Sequence, residues 1–281
     1  MGEAEEVQSK LAASWLSIAQ GVTDRSVRQQ VIAHSMYEVS HLEIAHALEA
    51  VARLAEQAQE AARDVLSAWL PTMTNPEHAD YFEVLRDLAD TEHLLALGRL
   101  LRKPKQTAGI EPRDPHERPT SNLPQGRTIT LGERKSLARG RDRFMIDRLL
   151  RDPHPHVIGI VLGNPRVTED DVIRLAAKRP TFPDVQGEIA RSARFGHRPR
   201  VRMALVQNPS TPPTLSVPLV SLLLRPDLAA VLDATDLPPV VRAAAAELLK
   251  RRPPVKTDGI AHDEYVIEDT TEVDDEDEPI Q

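Results

Sequence analysis

At 281 residues the chain is long enough for two domains of about 150 residues each, and with no cysteine it is barred from disulfides, thiolate catalysis and sulfur-ligated metals. Twenty-three prolines against nine aromatic residues are unlike an ordinary enzyme core. The net charge of −8 divides into −10 over residues 1–98, +13 over 99–257 and −11 over 258–281, so two acidic ends flank a basic middle.

Residues 8–20 read as a short helix ending near Gly21, with Thr23-Asp24 capping the next. From Arg25 to Leu70 there is no proline or glycine, which predicts one long helix. Along it Ile44, Leu48, Val51, Ala55, Ala58, Ala62, Val65 and Trp69 alternate steps of four and three, a heptad seam of the coiled-coil kind. A second helix over Pro76 to Arg102 buries Tyr81, Val84, Leu85, Leu88, Leu95 and Leu97. The expectation for residues 1–102 is an acidic helical hairpin or bundle. Its long helix also pairs between chains, which makes a homodimer. Residues 103–128 hold five prolines without periodicity and read as a linker. Thr130-Leu131-Gly132-Glu133 is a capping box that opens a second domain over 129–257, followed by a helix from Arg143 to Arg151.

Within that domain one pattern repeats. Val157-Ile158-Gly159-Ile160-Val161-Leu162-Gly163-Asn164-Pro165 is answered 44 residues later by Val201-Arg202-Met203-Ala204-Leu205-Val206-Gln207-Asn208-Pro209, and a looser copy starts at Val241-Arg242-Ala243. Each helix must stop at Asn-Pro, because proline disfavours helical geometry in the residue before it. Thr168-Glu169-Asp170-Asp171 then reads as a capped start, and Thr211-Pro212 places proline at the first helical position. A further helix from Pro183 to Phe195 completes the first unit. Self-similarity at this period marks stacked helical repeats. The order Val-Arg, apolar helix, Asn-Pro-x-Thr-Pro, Leu-x-x-Leu, carried best by Asn208 to Pro212 with Leu215 and Leu219, resembles the leucine-rich repeat variant family and, less closely, HEAT repeats. The resemblance covers roughly residues 136–252 and implies an α-solenoid used as an interaction surface. Some members carry an iron–sulfur cluster on cysteines, which this chain lacks. The tail, 258–281, has eleven acids and no Lys or Arg, and is expected to be disordered.

Three constellations carry chemistry. Glu38 with His41, and Asp90 with His93, are acid-x-x-His pairs, the spacing that di-iron helical bundles use. A ferritin-like metal-binding bundle is therefore the alternative function, opposed by polar residues that merely fix register in a helical seam. Arg191, Arg194, Arg198, Arg200 and Arg202 form one basic group, and residues 99–143 hold another. Polyanion or nucleic-acid binding is the second alternative, disfavoured because the region has only Phe144, Phe182 and Phe195 for stacking and no base-reading motif. No nucleophile elbow or phosphate loop is present, so no enzymatic activity and no cofactor are expected. No apolar run approaches the ~20 residues that span a bilayer, and Gly2-Glu3-Ala4-Glu5-Glu6 has the wrong charge for a signal peptide. The fold expected is all-α: a hairpin, a linker, a HEAT-like solenoid and an acidic tail. The function expected is that of a cytoplasmic scaffold or adaptor that holds another protein, with Arg191 to Arg202 and the surface near Asn164 and Asn208 as contact positions.

Overall fold

The computed structural model describes residues 2–103 and 129–252, and every regular element among them is helical. The amino-terminal half comprises α1 (Gly2–Gly21), α2 (Arg25–Glu38), α3 (His41–Glu56), α4 (Glu60–Met73), a 3-10 turn at Pro76–His78, α5 (Ala79–Thr91) and α6 (Leu95–Leu100). The single helix expected from Arg25 to Leu70 is thus three helices. Its first break is made by Ser40, whose hydroxyl accepts from Glu43 N while Glu43 Oε2 accepts from Ser40 N. This capping box restarts the helix after two extended residues. The second break has no glycine or proline to announce it. Ala58 sits in the left-handed region at φ 68°, Ala58 N donates to Ala55 O and Gln59 N donates to Leu54 O. Those two bonds are the Schellman ending, normally built on glycine.

The heptad seam is buried, but it is covered by the chain itself. Ile44, Leu48, Val51, Ala55, Ala62, Val65 and Trp69 all lie in the interior, because α3 runs down the middle of the bundle against α1, α4, α5 and α6. Ala58, at the break, is only half-buried. An edge-on aromatic string, Trp15 to Trp69 at 5.4 Å and Trp69 to Phe82 at 6.4 Å, ties α1, α4 and α5 together. Buried Glu49 accepts from Leu97 N at 2.8 Å, so its carboxylate meets the positive end of α6.

The carboxy-terminal half comprises α7 (Leu131–Ala138), α8 (Arg143–Leu149), α9 (Pro155–Gly163), α10 (Glu169–Ala177), α11 (Pro183–Arg191), α12 (Pro199–Val206), α13 (Pro213–Val220), α14 (Arg225–Asp233) and α15 (Pro239–Arg251). The expected capping boxes at Thr130 and Thr168 are both formed. At the second copy the helix begins at Pro213 with Pro212 as its cap, one residue later than expected. The sequence period corresponds to three helices: α9 and α12 are equivalent, and α7 packs on α9, α10 on α12, and α13 on α15. The paired copies are held alike. Asn164 Nδ2 donates to Ala138 O and Gly140 O, each at 2.8 Å, and its Oδ1 accepts from Arg166 N. Asn208 Nδ2 donates to Ala176 O at 2.7 Å and Lys178 O at 2.8 Å, and its Oδ1 accepts from Ser210 N. Each asparagine therefore satisfies orphan carbonyls at the end of the helix two positions earlier.

The two halves are in contact. Helix α4 packs on α11, and a small interior space of about 40 Å³ is shared by α3, α4 and α6 with α13 and α15. Polar ties cross the same boundary: Arg191 Nη1 donates to Thr74 O at 2.7 Å, Arg202 Nη2 to Ser67 Oγ at 2.6 Å, and Arg252 Nη2 to Ala55 O at 3.3 Å. Arg102 grips Glu247 with two bonds at 3.0 and 2.8 Å. The expected linker, apart from Lys103, and the acidic tail lie outside the described residues.

Candidate functional site

The expected contact residues fall into three groups. Asn164 and Asn208 are interior, at 5% and 1% exposure, with both amide hydrogens committed as above, so their side chains hold the fold together and do not face a partner. Arg194 is likewise committed, donating to Asn164 O and Val167 O and lying over the Phe195 ring. Arg191 and Arg202 are turned toward the amino-terminal bundle. Arg198 and Arg200, at the start of α12, are exposed and lie within 3.4 Å of Glu169 and 3.1 Å of Asp170 respectively.

Two surface features remain. The first is a groove of about 390 Å³ bounded by α10, α12 and α14, lined by Ile173, Ala177, Pro199, Met203 and Ala204 and edged by Arg179, Arg200 and Asp227. Its lining comes entirely from the carboxy-terminal half. Arg179 fixes one edge by donating to Gln207 O and pairing with Asp236.

The second feature was not legible in the arginine group alone. Of the six cations in residues 1–98, Arg25 and Arg28 line a cleft of about 50 Å³ between α2 and α4 on one side and α11 and the turn before α12 on the other; Arg202 ties its walls through Ser67 Oγ and Gly196 O, and Arg63 of α4 acts on Arg202. The turn depends on Gly196, buried against Ala190 O and Ser192 O so closely that a Cβ would collide with backbone. His197 follows, and its pKa is lowered by burial first and then by Arg25, Arg198 and Arg202; Ala193 O, 3.2 Å from Nδ1, works in the other direction. Burial, and next to it Arg63, pushes the Arg202 guanidinium down to about 10. Arg252 is also pushed down to about 10, again by burial and Arg63. The signal in the sequence was the scarcity of cations in an acidic stretch, three of them within one turn of a helix start or on one face of α4.

Three members of the other basic group are spent internally. Arg99 binds Glu56, Arg134 binds the buried Asp152, and Arg143 holds buried Asp171 with two bonds at 2.8 and 2.7 Å. The acid-x-x-His pairs are not brought together either. His41 stacks on Tyr81 near the start of α5, centroids 4.6 Å apart, whereas Asp90 lies nine residues further along that helix, roughly 14 Å away at 1.5 Å per residue. His93 ends α5 in the left-handed region at φ 55°, and Glu38 pairs with His34. Among the described residues no group of three or more His, Asp or Glu is placed to hold a metal. No helix among them is long and apolar enough to cross a membrane. No family model, curated protein or solved structure matches this chain.

Proposed function

We propose that the protein is a non-enzymatic interaction scaffold whose carboxy-terminal half is a HEAT-like stack of three-helix units. The observation that carries this reading is the apolar groove between α10, α12 and α14, about 390 Å³ in volume and edged by charge of both signs. A groove of that composition suits one face of an amphipathic segment of another protein. The chain's own bundle packs against α11, α13 and α15, and none of its residues lines this groove. The heptad seam that suggested a homodimer is filled by the chain's own helices, so the scaffold reading rests on the groove.

The test is affinity purification from the native cell with the full chain and with an Ile173→Glu, Met203→Glu double variant, its folding checked by circular dichroism. The same partner should be enriched by the first and lost at least tenfold from the second. Equal recovery on both would remove the groove from the proposal.

A further inference from the structure

The cationic cleft between α2, α4 and α11 is poorly neutralised by the residues around it. Arg25 and Arg63 make no ion pair with any described residue. Arg202 gives its Nη2 to a hydroxyl and its Nε to Gly196 O, and meets no described carboxylate within ion-pair distance. The nearby acids are already engaged: Asp64 by Arg28 at 2.7 Å, Glu169 by Arg198, and Asp24 by the amide groups that open α2. Between these walls the floor is apolar, made of Ala68, Leu70, Pro71, Ala190 and Ala193. About 50 Å³ admits side chains of an extended strand and no folded domain.

The chain carries a matching segment. Beyond Arg252 run residues 253–281, with Lys256 as their only Lys or Arg and eleven acids between Asp258 and Glu278. Their starting point lies near the amino-terminal end of α4, a wall of the cleft, because Arg252 bonds Ala55 O in the last turn of α3. Ser67, which Arg202 reaches, is seven residues into α4, roughly 10 Å along the axis. Asp263 follows Arg252 by eleven positions, and a chain of that length reaches at most about 40 Å when fully extended, which exceeds the distance to the cleft. Tethering at such a distance gives an effective concentration of the order of mM, so even weak ionic contacts are occupied.

We infer that the cationic cleft is a docking site for acidic extended polypeptide, and that in the isolated protein its occupant is the chain's own segment 263–278. The site is separate from the groove between α10, α12 and α14, and either can fail without the other.

The test uses a fluorescein-labelled peptide of residues 258–281 against the full chain and a chain ending at residue 257, which keeps every described residue. Anisotropy at about 50 mM salt should show binding to the shortened chain at least tenfold tighter than to the full chain, where the tethered copy competes. Raising salt to about 500 mM should weaken it at least tenfold. Arg25→Glu with Arg198→Glu, both exposed positions, should abolish it while leaving the thermal unfolding of the shortened chain unchanged. No binding to the shortened chain, equal affinity for both chains, or indifference to the charge reversals would each overturn the inference. So would a shortened chain that takes up polyuridylate and ignores the peptide, since the cleft would then belong to nucleic acid.

Discussion

Replacing Asn208 by alanine tests whether the repeated asparagine is the pin of each unit. The side chain is 1% exposed and makes three hydrogen bonds, to Ala176 O, Lys178 O and Ser210 N. At about 1 kcal/mol net for each bond the loss is about 3 kcal/mol. Two details soften it: Ala176 O keeps a second donor in Gln186 Nε2 at 3.1 Å, and Lys178 is exposed, so water can reach its carbonyl. Asn164→Ala has no such relief at Ala138 O from another described side chain, so it should cost about 1 kcal/mol more than Asn208→Ala. For a body of this size about 1 kcal/mol moves the midpoint by about 2–4 °C, which sets Asn208→Ala at roughly 5–10 °C and Asn164→Ala above it. Thermal unfolding followed by circular dichroism reads both, with Arg200→Ala as a surface control expected to stay within about 0.5 kcal/mol. If either asparagine variant melts with the control, the shared geometry at the two Asn-Pro stops is incidental and the pin role is refuted.

Ala58→Gly should stabilise the protein by up to about 1 kcal/mol in urea unfolding, because glycine adopts φ 68° without a Cβ clash, whereas a valine there should destabilise it. Glu49→Leu should cost roughly 1–3 kcal/mol by leaving Leu97 N without its acceptor, while Glu49→Gln, which keeps an acceptor oxygen, should cost less. Bonding to Arg143, aided by Thr168, holds the Asp171 carboxyl well below its usual range. Its contribution is therefore fully present above about pH 4 and is lost as pH falls toward the folded value, so Asp171→Asn should flatten the acid limb of a stability–pH curve between pH 4 and 2. An unchanged acid limb would show that the pair with Arg143 carries no net stability.

How much of this the sequence carried differs by element. The helix boundaries of the carboxy-terminal half were readable because proline and threonine act locally: Asn-Pro stops α9 and α12, and Thr168 with Asp171 starts α10 with no help from distant residues. The amino-terminal helices were harder. Ser40 and Glu43 do spell a capping box, but they sit inside a run without glycine or proline, and Ala58 turns through a conformation its side chain does not favour. Tertiary packing of α4 back against α3 decides that turn, and single-residue propensity cannot register it. The same limit applies to the cleft. Arg25 and Arg63 are ordinary helix residues until folding sets them opposite Arg202, 139 to 177 positions away along the chain. The asparagines misled in the opposite direction, since a polar residue at a helix stop suggests a surface loop and here each is drawn inward by two waiting carbonyls.

Helix α4 belongs to both halves at once, supplying Trp69 to the bundle interior while its other side rests on α11 and receives the arginines at Ser67 and Thr74. Connectivity through residues 104–128 is then redundant for holding the molecule together. A protease nick in that stretch would leave two fragments that travel as one species on a sizing column and separate only in denaturant, and the two pieces, expressed from separate messages, would find each other and reassemble.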